Sequence, residues 1–153
     1  MKLKVLSVLT LIFVFTACTY YEHGPVFTLK SPTARLSGQW ELCDVIINDK
    51  TDEVLLENEK HITYTFSENG NLMIENIQNK RAISETFNAN WQFNENKTLI
   101  IIDLNDETEN DISVINCKEI TILRLTEDEL WISDIDSPGR INDYVTERRY
   151  KKI

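Results

Sequence analysis

The stretch "AISETFNANWQF", residues 82–93, decides how this chain is to be read. Ile83, Glu85, Phe87, Ala89, Trp91 and Phe93 share one face of an extended backbone, and Ala82, Ser84, Thr86, Asn88, Asn90 and Gln92 share the other. Successive side chains of a strand point to opposite faces, so a period of two with one apolar side marks a strand half-buried against a core. "HITYTF", residues 61–66, repeats the pattern with Ile62, Tyr64 and Phe66. "KTLIIIDL" (97–104) and "EITILRL" (119–125) are more continuously apolar, and "GQWELCDVII" (38–47), "NLMIENI" (71–77), "ELWISDI" (129–135) and "INDYVTERRYKK" (141–152) complete eight candidate strands. No stretch of this region holds an apolar helical period over three turns.

The connections support hairpins. "FSENGNL" from Phe66, "FNENKTL" from Phe93 and "LTEDELW" from Leu125 each place Ser, Asn or Thr, then Glu, then Asn or Asp between two apolar strand ends. Such residues bond their own backbone and tolerate turn conformations. Consecutive hairpins make antiparallel neighbours, and eight of them with one apolar face close into an up-and-down barrel, which leaves no exposed edge. The expected fold is therefore all-β, an eight-stranded antiparallel up-and-down barrel. "NDKTDEVLLENEK", residues 48–60, fits an irregular lid, one helical turn or an extra hairpin strand.

Ahead of the strands stands "KVLSVLTLIFVFTAC", residues 4–18. Its thirteen uncharged residues between Lys4 and Cys18 would cover roughly 20 Å as a helix, short of a hydrocarbon core about 30 Å thick. Lys2 and Lys4 precede the apolar run, and Thr16 and Ala17 close it, which is the order of a secretory signal. Phe15-Thr16-Ala17-Cys18 resembles the lipobox of bacterial lipoproteins, in which the signal is cut before a cysteine that becomes acylated. The resemblance implies a signal peptide over residues 1–17, lipid attachment at Cys18 and a membrane partner reached through that lipid; several acyl chains on one residue anchor durably where one does not. Thr19, where that family would carry Asp for inner-membrane retention, points to the outer membrane of the cell envelope. "TYYEH" lacks an acidic run, which favours the periplasmic face. "TYYEHGPVFTLKSPTARLS", broken by Gly24, Pro25 and Pro32, is read as a tether over residues 18–37, with Val26, Phe27 and Leu29 available to dock on the barrel.

A second resemblance follows from Gly38-Gln39-Trp40 at the first strand, the hairpin series and the basic, aromatic final strand "TERRYKK". These look like the lipocalin-like domains of bacterial lipoproteins, over residues 38–153. By that resemblance Trp40 plugs the closed end, and Arg148 or Arg149 packs on it as a cation–π partner that ties first strand to last. The family's Thr-Asp-Tyr motif between the sixth and seventh strands is missing; "NDY" at Asn142 to Tyr144 comes one strand late.

The whole chain has 16 basic and 25 acidic residues, a formal charge of −9; loss of Lys2 and Lys4 with residues 1–17 leaves 14 against 25, or −11. A surface of that sign repels phosphate backbones, which argues against nucleic acid as a partner. His23 and His61 have no local nucleophile or carboxylate beside them, and no nucleophile elbow, phosphate loop, Cys-x-x-Cys or His-Glu-x-x-His occurs, so neither an enzyme nor a cofactor is expected. In "DLNDETEND" the residues Asp103, Asn105, Glu107, Glu109 and Asp111 alternate like calcium ligands, but an EF-hand needs Gly sixth and Glu twelfth, where Thr108 and Val114 stand; a solvated acidic hairpin with no metal is expected. Cys43 and Cys117 are an even pair in an oxidising compartment, yet an up-and-down order separates the first strand from the sixth, which favours two separate thiols.

A ligand would go inside. Ile62, Tyr64, Phe66, Ile83, Phe87, Trp91, Ile122, Leu130 and Ile132 are expected to face inward, and an eight-stranded barrel either fills with such side chains or holds one small ligand. Glu85 on the same face is either a polar anchor or the solvated end of a strand. Two functions follow. In one, a small apolar or amphipathic ligand is held by Tyr64, Glu85, Phe87 and Trp91; in the other, a filled barrel meets an envelope protein partner through its acidic outer face.

Overall fold

The computed structural model describes Tyr21, His23 and residues 28–77, 84–103, 117–136 and 144–153. The expected signal segment, Cys18, Ile83 and residues 104–111 of the acidic hairpin lie outside them, as do Asn142 and Asp143 of the "NDY" triplet. Eight long strands make the wall: β1 (Gly38–Ile47), β3 (Ile62–Phe66), β4 (Asn71–Ile77), β5 (Ser84–Phe93), β6 (Leu99–Asp103), β7 (Cys117–Leu125), β8 (Glu129–Asp136) and β9 (Tyr144–Lys152). A two-residue strand, β2 (Lys50–Thr51), pairs with the end of β1. Each long strand lies antiparallel to the next, and β9 returns to pair with β1 from Trp40↔Lys152 to Ile47↔Thr146. The sheet is a closed eight-stranded antiparallel barrel of the lipocalin-like kind, as the alternation and the hairpins imply.

Two irregularities re-aim the walls. In β1 the ladder with β9 slips between Leu42 and Asp44, so Trp40, Leu42 and Val45 are all buried although they break a strict period of two. In β7 a slip between Ile122 and Arg124 does the same for Ile120, Ile122 and Leu125. A bulge of this kind adds one residue and shifts the phase of every later side chain.

The two ends differ. At one end lie the turns after β3, β5 and β7 together with helix α1 (Pro32–Leu36), whose N-cap Ser31 accepts the N–H of Ala34. Leu36 is fully buried, and Arg35 Nη1 donates to the Leu125 carbonyl at 2.6 Å. Residues 31–37, read from sequence as tether, are thus packed into the barrel's closed end. Tyr21 is buried as well, with the Arg35 guanidinium 5.7 Å from its ring centroid; His23 donates its backbone N–H to Leu123 and packs its ring on Trp131.

At the other end, residues 48–60 combine two of the expected alternatives. Asn48 and Asp49, both at positive φ, turn β1 into β2, the geometry of a tight hairpin. Helix α2 (Glu53–Glu59) follows, N-capped by Asp52 accepting from Leu55 N–H at 3.0 Å, with Leu55 and Leu56 packed on the core and Val54 exposed. Cys43 and Cys117 are separate thiols. Among the described residues no helix is long and apolar enough to cross a membrane.

Candidate functional site: a cavity inside the barrel

The barrel is not filled. A cavity of about 320 Å³ lies inside it. Its apolar body is Trp40 and Phe66 toward the closed end, with Tyr64, Ile74, Ile100, Ile102, Ile120, Leu130, Ile132 and Tyr150 around the wall. Tyr64 meets Tyr150 edge to face at 5.6 Å between centroids, a geometry that aromatic pairs prefer to face-to-face stacking. Toward the open end the lining turns polar, with Lys118 from β7, Arg148 from β9 and Glu59 from the last residue of α2.

Arg148 and Glu59 form a two-point ion pair. Arg148 Nε lies 2.8 Å from Glu59 Oε2, and Nη2 lies 3.1 Å from Oε1. The side chains are 13% and 27% exposed, so this pair is largely withdrawn from solvent. A parallel fork of this kind is the strong arrangement for guanidinium and carboxylate. It fastens α2 to the far side of the β1–β9 seam, at the mouth of the cavity.

The residues singled out from sequence separate. Tyr64 lines the cavity. Phe87 stands opposite Ile74 in the β4–β5 ladder, but the β5–β6 ladder covers only Asn90 to Phe93, and Phe87 is 54% exposed outside the lining. Trp91 is buried below the cavity, edge-on to Phe66 and Phe93, with Nε1 donating to the carbonyls of Ser67 and Asn71 at 3.1 Å each. Its place is the packed floor under the first turn. The backbone of Glu85 pairs with Asn76 in β4, and its side chain is outside the described positions.

The closing cation is corrected. Trp40 is fully buried with its Nε1 donating to Leu36, as a plug of the closed end. The charge over its ring is neither Arg148, which turns into the cavity, nor Arg149, which lies 4.1 Å from the Trp131 ring centroid instead. It is Lys152, with Nζ 4.7 Å from the Trp40 centroid and bonded to the carbonyls of Arg35 and Ser37 at 2.6 and 2.7 Å. The ladder requires this, because Lys152 is the residue directly opposite Trp40. Burial lowers the Lys152 pKa from its ordinary value, with nearby Lys30 acting in the same direction.

Glu59, Lys118 and Arg148 were not singled out as pocket residues. Lys118 and Arg148 carry the signal that drew notice to Glu85, a charge on the inward phase of an apolar strand, beside Ile120 and Tyr150 respectively. Glu59 has no such signal, because its partner lies on the last strand. A scan against protein-family models and a search of curated proteins found no match; the fold and the cavity are what define the class, a closed lipocalin-like barrel with an internal pocket.

Proposed function

We propose that this protein is a lipid-anchored envelope protein whose barrel holds one small apolar or amphipathic molecule. The observation that carries the reading is the cavity itself. Its volume of about 320 Å³ falls at the small end of the roughly 300–1,000 Å³ typical of ligand sites, and it has their usual composition, apolar walls with a few convergent polar groups. The rival reading, a filled barrel acting only through its outer face, calls for a close-packed interior. The role proposed is binding rather than catalysis.

Native mass spectrometry of the protein purified gently from its own host tests the binding role. A retained small molecule, lost on Tyr64→Ala, supports it; an empty barrel that also fails to take up a fluorescent fatty acid refutes it. The anchor rests on the lipobox pattern at Cys18 and an outer-membrane, periplasm-facing placement on Thr19 and the residues after it. Membrane fractionation and acyl labelling of Cys18→Ala test the anchor, and unchanged membrane association would refute it.

A further inference from the structure

The geometry points to a ligand with a carboxylate head, held by the Arg148 fork in place of Glu59; this rests on the binding function proposed above. Arg148 already grips a carboxylate through Nε and Nη2, and that carboxylate belongs to α2, at the mouth of the cavity. An incoming carboxylate is chemically equivalent to the one it would replace, and a planar guanidinium recognises either by the same two parallel bonds. Lys118 supplies a second cation at that end of the lining, while the opposite end is aromatic and aliphatic. The change from apolar floor to charged mouth orients an amphipath tail-inward.

Exchange at Arg148 also explains what α2 does. Glu59 is the last residue of the helix; its other end is held by the Asp52 N–H on the Val45 carbonyl at 2.8 Å, and Leu55 and Leu56 pack on the core between. A ligand head that takes the Arg148 fork releases the Glu59 end of this helix. Glu59 thus acts as an internal competitor that keeps the mouth latched while the cavity is without its ligand, and the observed affinity for a carboxylate is reduced by the strength of that latch.

The test is a calorimetric titration of the full chain with decanoate and with decan-1-ol. The expected results are a decanoate affinity at least tenfold above that of the alcohol, and a further rise of about tenfold for decanoate in Glu59→Gln with little change for the alcohol. Arg148→Met should bring the two affinities together. Equal binding of decanoate and decanol by the wild type, or a Glu59→Gln variant that binds decanoate no more tightly, overturns the head-group assignment while leaving the cavity a binding site. Binding of neither probe overturns the assignment together with the function beneath it. Because Glu59→Gln keeps the size and a hydrogen-bonding end of the side chain, its result decides the matter even if Arg148→Met fails to fold.

Discussion

At the scale of single residues, Lys152 does the most with one charge. Its ammonium bonds the carbonyls of Arg35 and Ser37 at the end of α1 and stands over the indole of Trp40, so one side chain joins the helix, the first strand and the last. Carbonyls at a helix C-terminus have no intrahelical donor, and a cation is the favoured partner there. Lys152→Met keeps most of the stem and removes the charge; we expect a loss of about 2–3 kcal/mol, from two charge-assisted bonds and the cation–π contact, read as a lower urea midpoint at unchanged slope. Cys43 offers a second check. Burial raises its thiol pKa, Lys151 opposes that to a smaller extent while Asp44 adds to it, and Sγ donates to the Arg149 carbonyl at 3.2 Å, which holds the proton in place. Since only the thiolate reacts, the pH at which iodoacetamide half-maximally modifies Cys43 should lie above that of free cysteine; a midpoint at or below it would contradict this setting.

At the scale of elements, two of the three sequence-related turns share a geometry and the third does not. After β3, Gly70 takes φ +90° and its N–H bonds the Ser67 carbonyl; after β5, Lys97 takes φ +59° and its N–H bonds Asn94. The turn after β7 is tighter, with Thr126 N–H bonded to Glu129 O and the Thr126 hydroxyl accepting from Glu129 N–H. Lys97 therefore occupies a position suited to glycine, where an L side chain costs about 1–2 kcal/mol. Lys97→Gly should raise stability by about 0.5–1 kcal/mol once the added freedom of the unfolded glycine is offset. Gly70→Ala should lower it by about 1–3 kcal/mol, since a Cβ there would come within 3.2 Å of the Trp91 carbonyl. Thermal melts of the two variants should move in opposite directions.

The elements also show what was legible beforehand. The inner half of β5 announces itself by alternation, with Ala89 and Trp91 buried and Asn88, Asn90 and Gln92 exposed, whereas Thr63 of β3 is buried on the polar phase and Phe87 is exposed on the apolar one. The bulges in β1 and β7 break that alternation, so Val45 and Leu125 cannot be placed by counting. Helix α2 is too short to display a period and is held by contacts made elsewhere. Glu59 and Arg148 meet only because β9 closes on β1, so no local pattern links them. Whether the barrel fills or stays open depends on strand tilt and stagger, which set its radius independently of how apolar the wall is.

At the scale of the whole molecule, the chain has a polarity: α1 and three hairpin turns at the closed end, α2 and the charged lining at the other. Its closure joins residues over a hundred positions apart, Trp40 with Lys152 and Leu42 with Tyr150. Barrels dominated by such distant pairings fold in milliseconds to seconds. Refolding followed by stopped-flow tryptophan fluorescence should be that slow, and relaxation within tens of microseconds would mean that closure is not part of the transition. The seam has one more consequence, for the order of manufacture. The strand that completes the barrel is the last to be made, and at roughly 5–20 residues per second the ribosome works for several seconds between finishing β1 and finishing β9. Throughout that interval one flank of β1 waits for a neighbour that does not yet exist, so the nascent barrel stays unsealed until β9 has been made.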